Sequence, residues 1–349
     1  GFTNMSNLTS YIHSIGLKIG IYSGPKPSTY AGFLGSSSFN SSGMDYNYFS
    51  PFNGNDNSRG PKFDDYVTGT GSDGNPGVYQ PSQYYGSYFG GYESSPGGKE
   101  VGSHWHGAVD VQQFAEWGFD FMKWDWLLHI NSSLTEILTK TLSDTSLSSG
   151  RSIVLSLSNN VGHNRTLMAK LKDIGASMAR ISSDISDNWW SVSSAASESL
   201  YFLDLAGDGF FPDPDMLQVG YIGTPNGLNT HFHKTHLAEN EQYFQISFWA
   251  IYPAPLILSC DLSQLVGDDF TLGLLKNREV IEINQDAATR NGQKSHRLIQ
   301  GNDEIVVRKL DDGAVAVGVF NFIVLDKDLV VKLDDVTKVT GVMFPKGAT

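Results

Sequence analysis

Cysteine is nearly absent from this chain. Cys260 is the sole one in 349 residues, which excludes an intrachain disulfide and a cysteine-based zinc site. Positive charge is scarce as well: 24 Lys and Arg against 37 Asp and Glu leave a formal net charge of −13. No basic cluster interrupts that deficit, so a nucleic-acid surface is excluded. No apolar run approaches the roughly 20 residues needed to span a membrane. An initiator Met and a signal-peptide pattern are also lacking, since the sequence opens at Gly1. The expectation is a start that has been processed or cut.

What is present suits a large ordered protein with long polar loops. Hydrophobic residues make up 40% and charged residues only 17%, with 37 Gly and 15 Tyr. Asn-x-Ser/Thr sequons begin at Asn4, Asn7, Asn40, Asn131 and Asn164. They matter only if the chain is glycosylated in a secretory pathway. This texture leads us to expect a secreted, periplasmic or lysosome-like location.

Short apolar runs alternate with helical patterns. The runs are "GLKIGIYS" (16–23), "FDFMKWDW" (119–126), "RSIVLSLS" (151–158), "ASMARIS" (176–182), a weaker "GFFPDPDML" (209–217) and "APLILSCDL" (254–262). Between them "VDVQQFAEWG", "SLTEILTKTLSD" and "NEQYFQISFWAIY" carry helical periodicity. That alternation predicts βαβ units and a parallel sheet. From about residue 303, "EIVVRKL", "AVAVGVFNF", "DLVVKL" and "VTGVMF" read as strands at hairpin spacing, with "DDG" as a turn. Residues 36–102 hold no sustained period and read as an insertion.

Charge sits inside the apolar runs at one recurrent position. Lys123 and Asp125 lie two apart in "FDFMKWDW" and so share a strand face. Arg180, Ser182 and Asp184 repeat the pattern if their strand runs on to residue 184, and Asp213 and Asp215 follow in "DPDML". Burying such groups costs several kcal/mol unless they are paired or used. Each cluster falls at the C-terminal end of a strand, where parallel α/β folds place their active sites. Carboxylates there can act as nucleophile and general acid/base. A helix cap is the competing explanation for any one of them. Repetition at three strand ends favours a carboxylate-pair hydrolase.

The order of "GLKIGIYSGPKPSTYAGF", "FAEWGFDFMKWDW", "RSIVLSLS", "ARISSDISDNWWS", "PDPDMLQVG", "QISFWAIYPAPLILSCDL" and "NREVIEINQD" resembles glycoside hydrolase family 27. That family comprises retaining α-galactosidases, α-N-acetylgalactosaminidases and relatives, and the likeness is nearest to microbial members. The resemblance implies a (β/α)8 TIM barrel followed by an antiparallel C-terminal β-sandwich. On this reading residues 1–290 are the catalytic barrel, with the insertion at about 36–102, and residues 291–349 are an incomplete β-sandwich domain. Barrel strands 3–8 are visible and strands 1–2 are expected to be missing from the chain.

The same resemblance assigns roles. Asp125 falls on the nucleophile and Asp184 on the acid/base, while Lys123, Arg180, Tyr22 and Asp215 fall on sugar-binding positions. Ser158 lies on the loop facing the sugar 2-position in the family. The implied partner is an oligosaccharide or glycoconjugate with a terminal α-linked sugar, most simply galactose. α-N-Acetylgalactosaminidase, β-L-arabinopyranosidase and isomalto-dextranase activities stay open, as does a non-catalytic carbohydrate-binding role. The implied chemistry needs no cofactor and no metal. The histidines of "HWH" (104–106) and "HFHKTH" (231–236) fall in expected loops, and no carboxylate spacing completes a metal site with them.

Overall fold

The computed structural model describes residues 4–23, 111, 114–125, 139–140, 142–145, 150–158, 164–223, 232–299, 303–323 and 328–345. The insertion, His104, His106, His231 and the sequons at Asn40 and Asn131 lie outside the described residues. No described helix is long and apolar enough to cross a membrane. The chain divides into two compact units, residues 1–159 with 173–177, and residues 160–172 with 178–349.

The first unit opens with the helix Met5–Ser14, whose N-terminus is capped by the Asn4 side chain accepting from the Asn7 amide at 2.9 Å. Three parallel strands follow: β1 (Gly20–Ser23), β2 (Phe121–Trp124) and β3 (Val154–Leu157). Their register places Tyr22 beside Lys123 and Lys123 beside Ser156. Met122 and Trp124 are fully buried, whereas Phe121 and Lys123 are partly exposed, as the period of two requires. Gly118 sits just before β2 at φ +95°, and a Cβ there would lie 2.9 Å from Thr9 Oγ1. Glycine is therefore needed for both conformation and helix packing.

The second unit contains the helix Arg165–Asp173, apart from its last residue, and β4 (Met178–Arg180), which pairs in parallel with β5 (Phe211–Asp213). Between these strands runs the helix Trp189–Tyr201, capped by Asn188. A small antiparallel pair, β6 (Tyr221–Ile222) with β7 (His233–Lys234), precedes the helix Glu239–Ile251. That helix is buried over most of its surface, including Phe244, Phe248 and Trp249, so its sequence shows only a weak polar face. The run "APLILSCDL" makes isolated bridges at Leu258 and Cys260 instead of a continuous strand. Pro255 offers no N–H to a ladder, and pairing is confined to residues beyond it.

Toward the C-terminus lie β8 (Ser295–Ile299), β9 (Asp303–Lys309) and β10 (Val315–Asn321), an antiparallel sheet in the order β10-β9-β8. The expected antiparallel region and its "DDG" turn are both present. The readings of "DLVVKL" (328–333) and "VTGVMF" (339–344) as strands are corrected: neither joins a sheet, and the residues that link them, Leu333–Thr340, form a helix. Asp334 and Asp335 favour its first turn, and Gly341 closes it at φ 71°. Val336 and Val339 fall on one helical face and pack with Ile305 and Val307. In the sequence their three-residue spacing was masked by the flanking valines. β9 is buried from Asp303 to Arg308, and Phe320 of neighbouring β10 meets Phe244 and Phe248 edge-on.

Candidate active site

In the first unit the named residues gather at the C-terminal ends of the strands. Tyr22 and Lys123 are register neighbours on β1 and β2, and Asp125 follows β2 directly. The Tyr22 hydroxyl donates to Asp125 Oδ2. Lys123, Asp125 and Tyr22 all keep access to solvent, while Trp124 between them is sealed inside. The two charges of "FDFMKWDW" are thus not a desolvated pair. Ser158 is buried one residue beyond β3, where its amide donates to the Trp124 carbonyl at 2.9 Å. Its backbone extends the ladder by one step.

In the second unit Arg180 organises the other group. Its side chain is 5% exposed, and Nη2 lies 2.8 Å from Asp215 Oδ2 and 3.2 Å from Asp184 Oδ1. The same nitrogen donates to the Ser182 carbonyl at 3.0 Å. Asp215 is 7% exposed and Asp184 is 91% exposed. One guanidinium therefore joins an internal anchor to a carboxylate that reaches solvent. Asp215 is itself held tightly. Its Oδ2 accepts from the Ile185 amide at 2.9 Å, its amide donates to Asp213 Oδ1 at 2.8 Å, and its carbonyl accepts from Trp249 Nε1 at 2.9 Å. These bonds hold it at φ 81°, a conformation that costs a non-glycine residue about 1–3 kcal/mol.

Two clusters escaped sequence reasoning. The first centres on Asp120, at the opposite end of β2 from Asp125. Its carboxylate meets His13 Nε2 at 2.7 Å, Arg151 Nη1 at 3.1 Å, Lys18 Nζ at 3.3 Å and the Ile19 amide at 3.1 Å. Burial pushes the Asp120 pKa up, but the bonds from His13, Ile19 and Lys18 outweigh it and hold the value at about 2. Its signal in the sequence was an acid at the second position of the apolar run, immediately before β2. The second cluster is Asp187 with His233 and His236, from segments nearly fifty residues apart. Sequence spacing completes no site with those histidines, and the fold brings the remote Asp187 to two of them. Burial would raise the Asp187 pKa, yet the His236 amide, the His233 ring and the charge of both rings bring it down overall.

These features define an α/β protein whose parallel strands carry, at their C-terminal ends, carboxylates beside cationic and phenolic side chains. Comparison narrows the class. The alpha galactosidase A family profile matches residues 91–286, and the chain belongs to that family, glycoside hydrolase family 27. It is 34% identical over 220 residues to alpha-galactosidase 2 of Arabidopsis thaliana, covering 63% of this chain and 50% of that protein. It is 35% identical over 221 residues to the alpha-galactosidase of Cyamopsis tetragonoloba, covering 63% and 48% respectively. The chain thus spans about half the length of the curated relatives it matches. Among solved structures, the family 27 β-L-arabinopyranosidase of Geobacillus stearothermophilus superposes with a TM-score of 0.63 at 22% identity, covering 95% of this chain and 68% of that one. That likeness extends the shared fold over almost the whole chain.

Proposed function

We propose that this chain is the catalytic portion of a retaining exo-α-glycosidase that hydrolyses terminal α-linked galactose, on a (β/α)8 barrel. Asp125 attacks the anomeric carbon while Asp184 donates a proton to the departing glycosidic oxygen. The C–O bond to the aglycone breaks, and an ester bond joins the sugar to Asp125. Asp184, now a carboxylate, takes a proton from water, whose oxygen displaces Asp125 and releases the sugar. Such double displacement requires the two carboxyl groups about 5–5.5 Å apart. Lys123, Arg180 and Asp215 bind sugar hydroxyls, and Tyr22 steadies the nucleophile. Ser158 lines the region facing the 2-position.

The observation that carries this reading is the unequal treatment of Asp184 and Asp215 by one arginine. Asp215 holds Arg180 inside, and Arg180 presents Asp184 to solvent, where a leaving group would approach. The alpha-galactosidase names of the matched relatives support galactose as the sugar. Nothing in the scheme needs a metal or a cofactor, and the reading places the protein in a secreted, periplasmic or lysosome-like location.

A panel of nitrophenyl glycosides tests it: α-galactoside, α-N-acetylgalactosaminide, β-L-arabinopyranoside and α-glucoside. The expected result is fastest release from the α-galactoside. Asp125→Asn and Asp184→Asn should each lower kcat by at least about 10³-fold, the scale of losing a nucleophile or a proton donor, with unchanged circular dichroism. Near-normal turnover by either variant overturns its assignment. Silence of the wild type across the panel, with measurable sugar binding, would favour a carbohydrate-binding protein.

A further inference from the structure

Asp187 lies just past the acid/base segment, immediately before the Asn188 cap of the helix Trp189–Tyr201. His233 belongs to β7 and His236 lies just beyond it. His233 Nε2 is 3.0 Å from Asp187 Oδ2 and His236 Nδ1 is 2.8 Å from the same oxygen. The His236 amide also donates to that oxygen at 2.9 Å. The two imidazoles lie 4.5 Å apart, centroid to centroid, with an interplanar angle of 31°. The three candidate ligand atoms all fall within 4.8 Å of one another.

A pair of histidines hydrogen-bonded to a carboxylate is one reading of this geometry, but three features exceed it. Two rings converge on one oxygen, although a single ring would satisfy a carboxylate lone pair and the backbone amide already occupies another. The rings present different nitrogens, Nε2 and Nδ1, so backbone position alone does not align them. Exposure is also graded: Asp187 is 11% exposed, His233 22% and His236 71%. The cluster therefore has a buried floor and one side open to water. Tetrahedral zinc with bonds of about 2.0–2.1 Å sets its ligand atoms about 3.3 Å apart. The observed N–O separations are a few tenths of an ångström shorter, an adjustment within reach of small side-chain rotations.

We propose that Asp187, His233 and His236 form a binding site for a first-row divalent transition metal, with zinc its natural occupant and water on the open side. Two neutral imidazoles and one carboxylate suit zinc, nickel and cobalt in preference to calcium or magnesium, which take oxygen ligands. Bound metal would tie β7 to the segment following Asp184. Its role is to fix that segment, and it takes no part in bond cleavage.

The test uses the full chain after chelator treatment and dialysis. Zinc titrated against a chromophoric competitor should bind at one equivalent and raise the melting temperature. Cobalt should give the visible d–d absorption of a low-coordinate nitrogen and oxygen site. His236→Ala changes a mostly exposed side chain and keeps the fold, and it should weaken zinc binding by at least tenfold. Asp187→Asn with His233→Ala should abolish it, while Asp184→Asn should leave it unchanged. Equal zinc affinity in the wild type and the His236→Ala and Asp187→Asn/His233→Ala variants would overturn the site. So would a cobalt complex with only the faint spectrum of the hydrated ion.

Discussion

Replacing Asp120 with Asn separates stability from chemistry on a single strand. The carboxylate is 7% exposed and lies within 3.3 Å of His13, Lys18 and Arg151. Holding its pKa at about 2 instead of 3.8 favours the ionised form by about 2 kcal/mol, at about 1.36 kcal/mol per pKa unit. Lys18 is 80% exposed and adds little to that figure. Most of it comes from His13 and the Ile19 amide. Asn can still accept from Ile19 but cannot carry the charge, so the loss expected at pH 7 is about 2 kcal/mol. The sign follows from a folded pKa below the unfolded one. The carboxylate's contribution is complete above the unfolded value near 4 and is lost as pH falls through about 2. Urea unfolding of wild type and variant at several pH values reads this directly. The midpoints should differ at pH 7, converge between about pH 4 and 2, and coincide below that. At pH 7 in dilute buffer the variant should hydrolyse substrate like the wild type, because Asp120 and Asp125 occupy opposite ends of β2. A difference under about 0.5 kcal/mol, or one that persists unchanged to pH 2, would refute the reasoning.

Other substitutions probe other contacts. Asp215→Asn keeps a residue that tolerates positive φ but leaves Arg180 buried beside a neutral amide. It should cost about 3–5 kcal/mol in denaturant unfolding and lower kcat/KM, since Asp184 loses its anchored partner. Val336→Ala should cost about 2 kcal/mol by opening space over Ile305 and Val307, with KM unchanged in the glycoside assay. Tyr22→Phe removes the hydroxyl bonded to Asp125 and should lower kcat by about tenfold, the loss of one hydrogen bond to a charged group, with an unaltered melting temperature.

The parallel strands and their charged ends were legible because both signals are local. Apolar runs mark β1 to β4, and the two-residue offset of Lys123 and Asp125 holds in the burial of their neighbours. Arg180 and Asp184 share an ion pair, but not as two residues on one strand face: β4 ends at Arg180 and the chain bends before Asp184. The C-terminal helix was missed because "VVKLDDVTKVTGVM" mixes β-branched residues with only two turns of helical spacing, and β-branched residues argue for strand. Its identity is fixed by tertiary burial of Val336. Asp187 was missed for a different reason. It meets its histidines across nearly fifty residues of chain, and no periodicity encodes such a contact. Asp120 stood in plain view, but its partners His13 and Arg151 lie on other elements.

The Asp120 cluster has a consequence for the aim of the strand it precedes. In a parallel ladder a slip of one residue exchanges the faces of every side chain. Such a slip in β2 would turn Trp124 outward and drive Lys123 and Asp125 into the apolar interior. His13, the Ile19 amide and Arg151 grip Asp120 from three separate segments, and they can do so in one register only. The ion cluster at the foot of β2 therefore works as an indexing pin. It decides which way the side chains at the far end point, without touching anything that binds there.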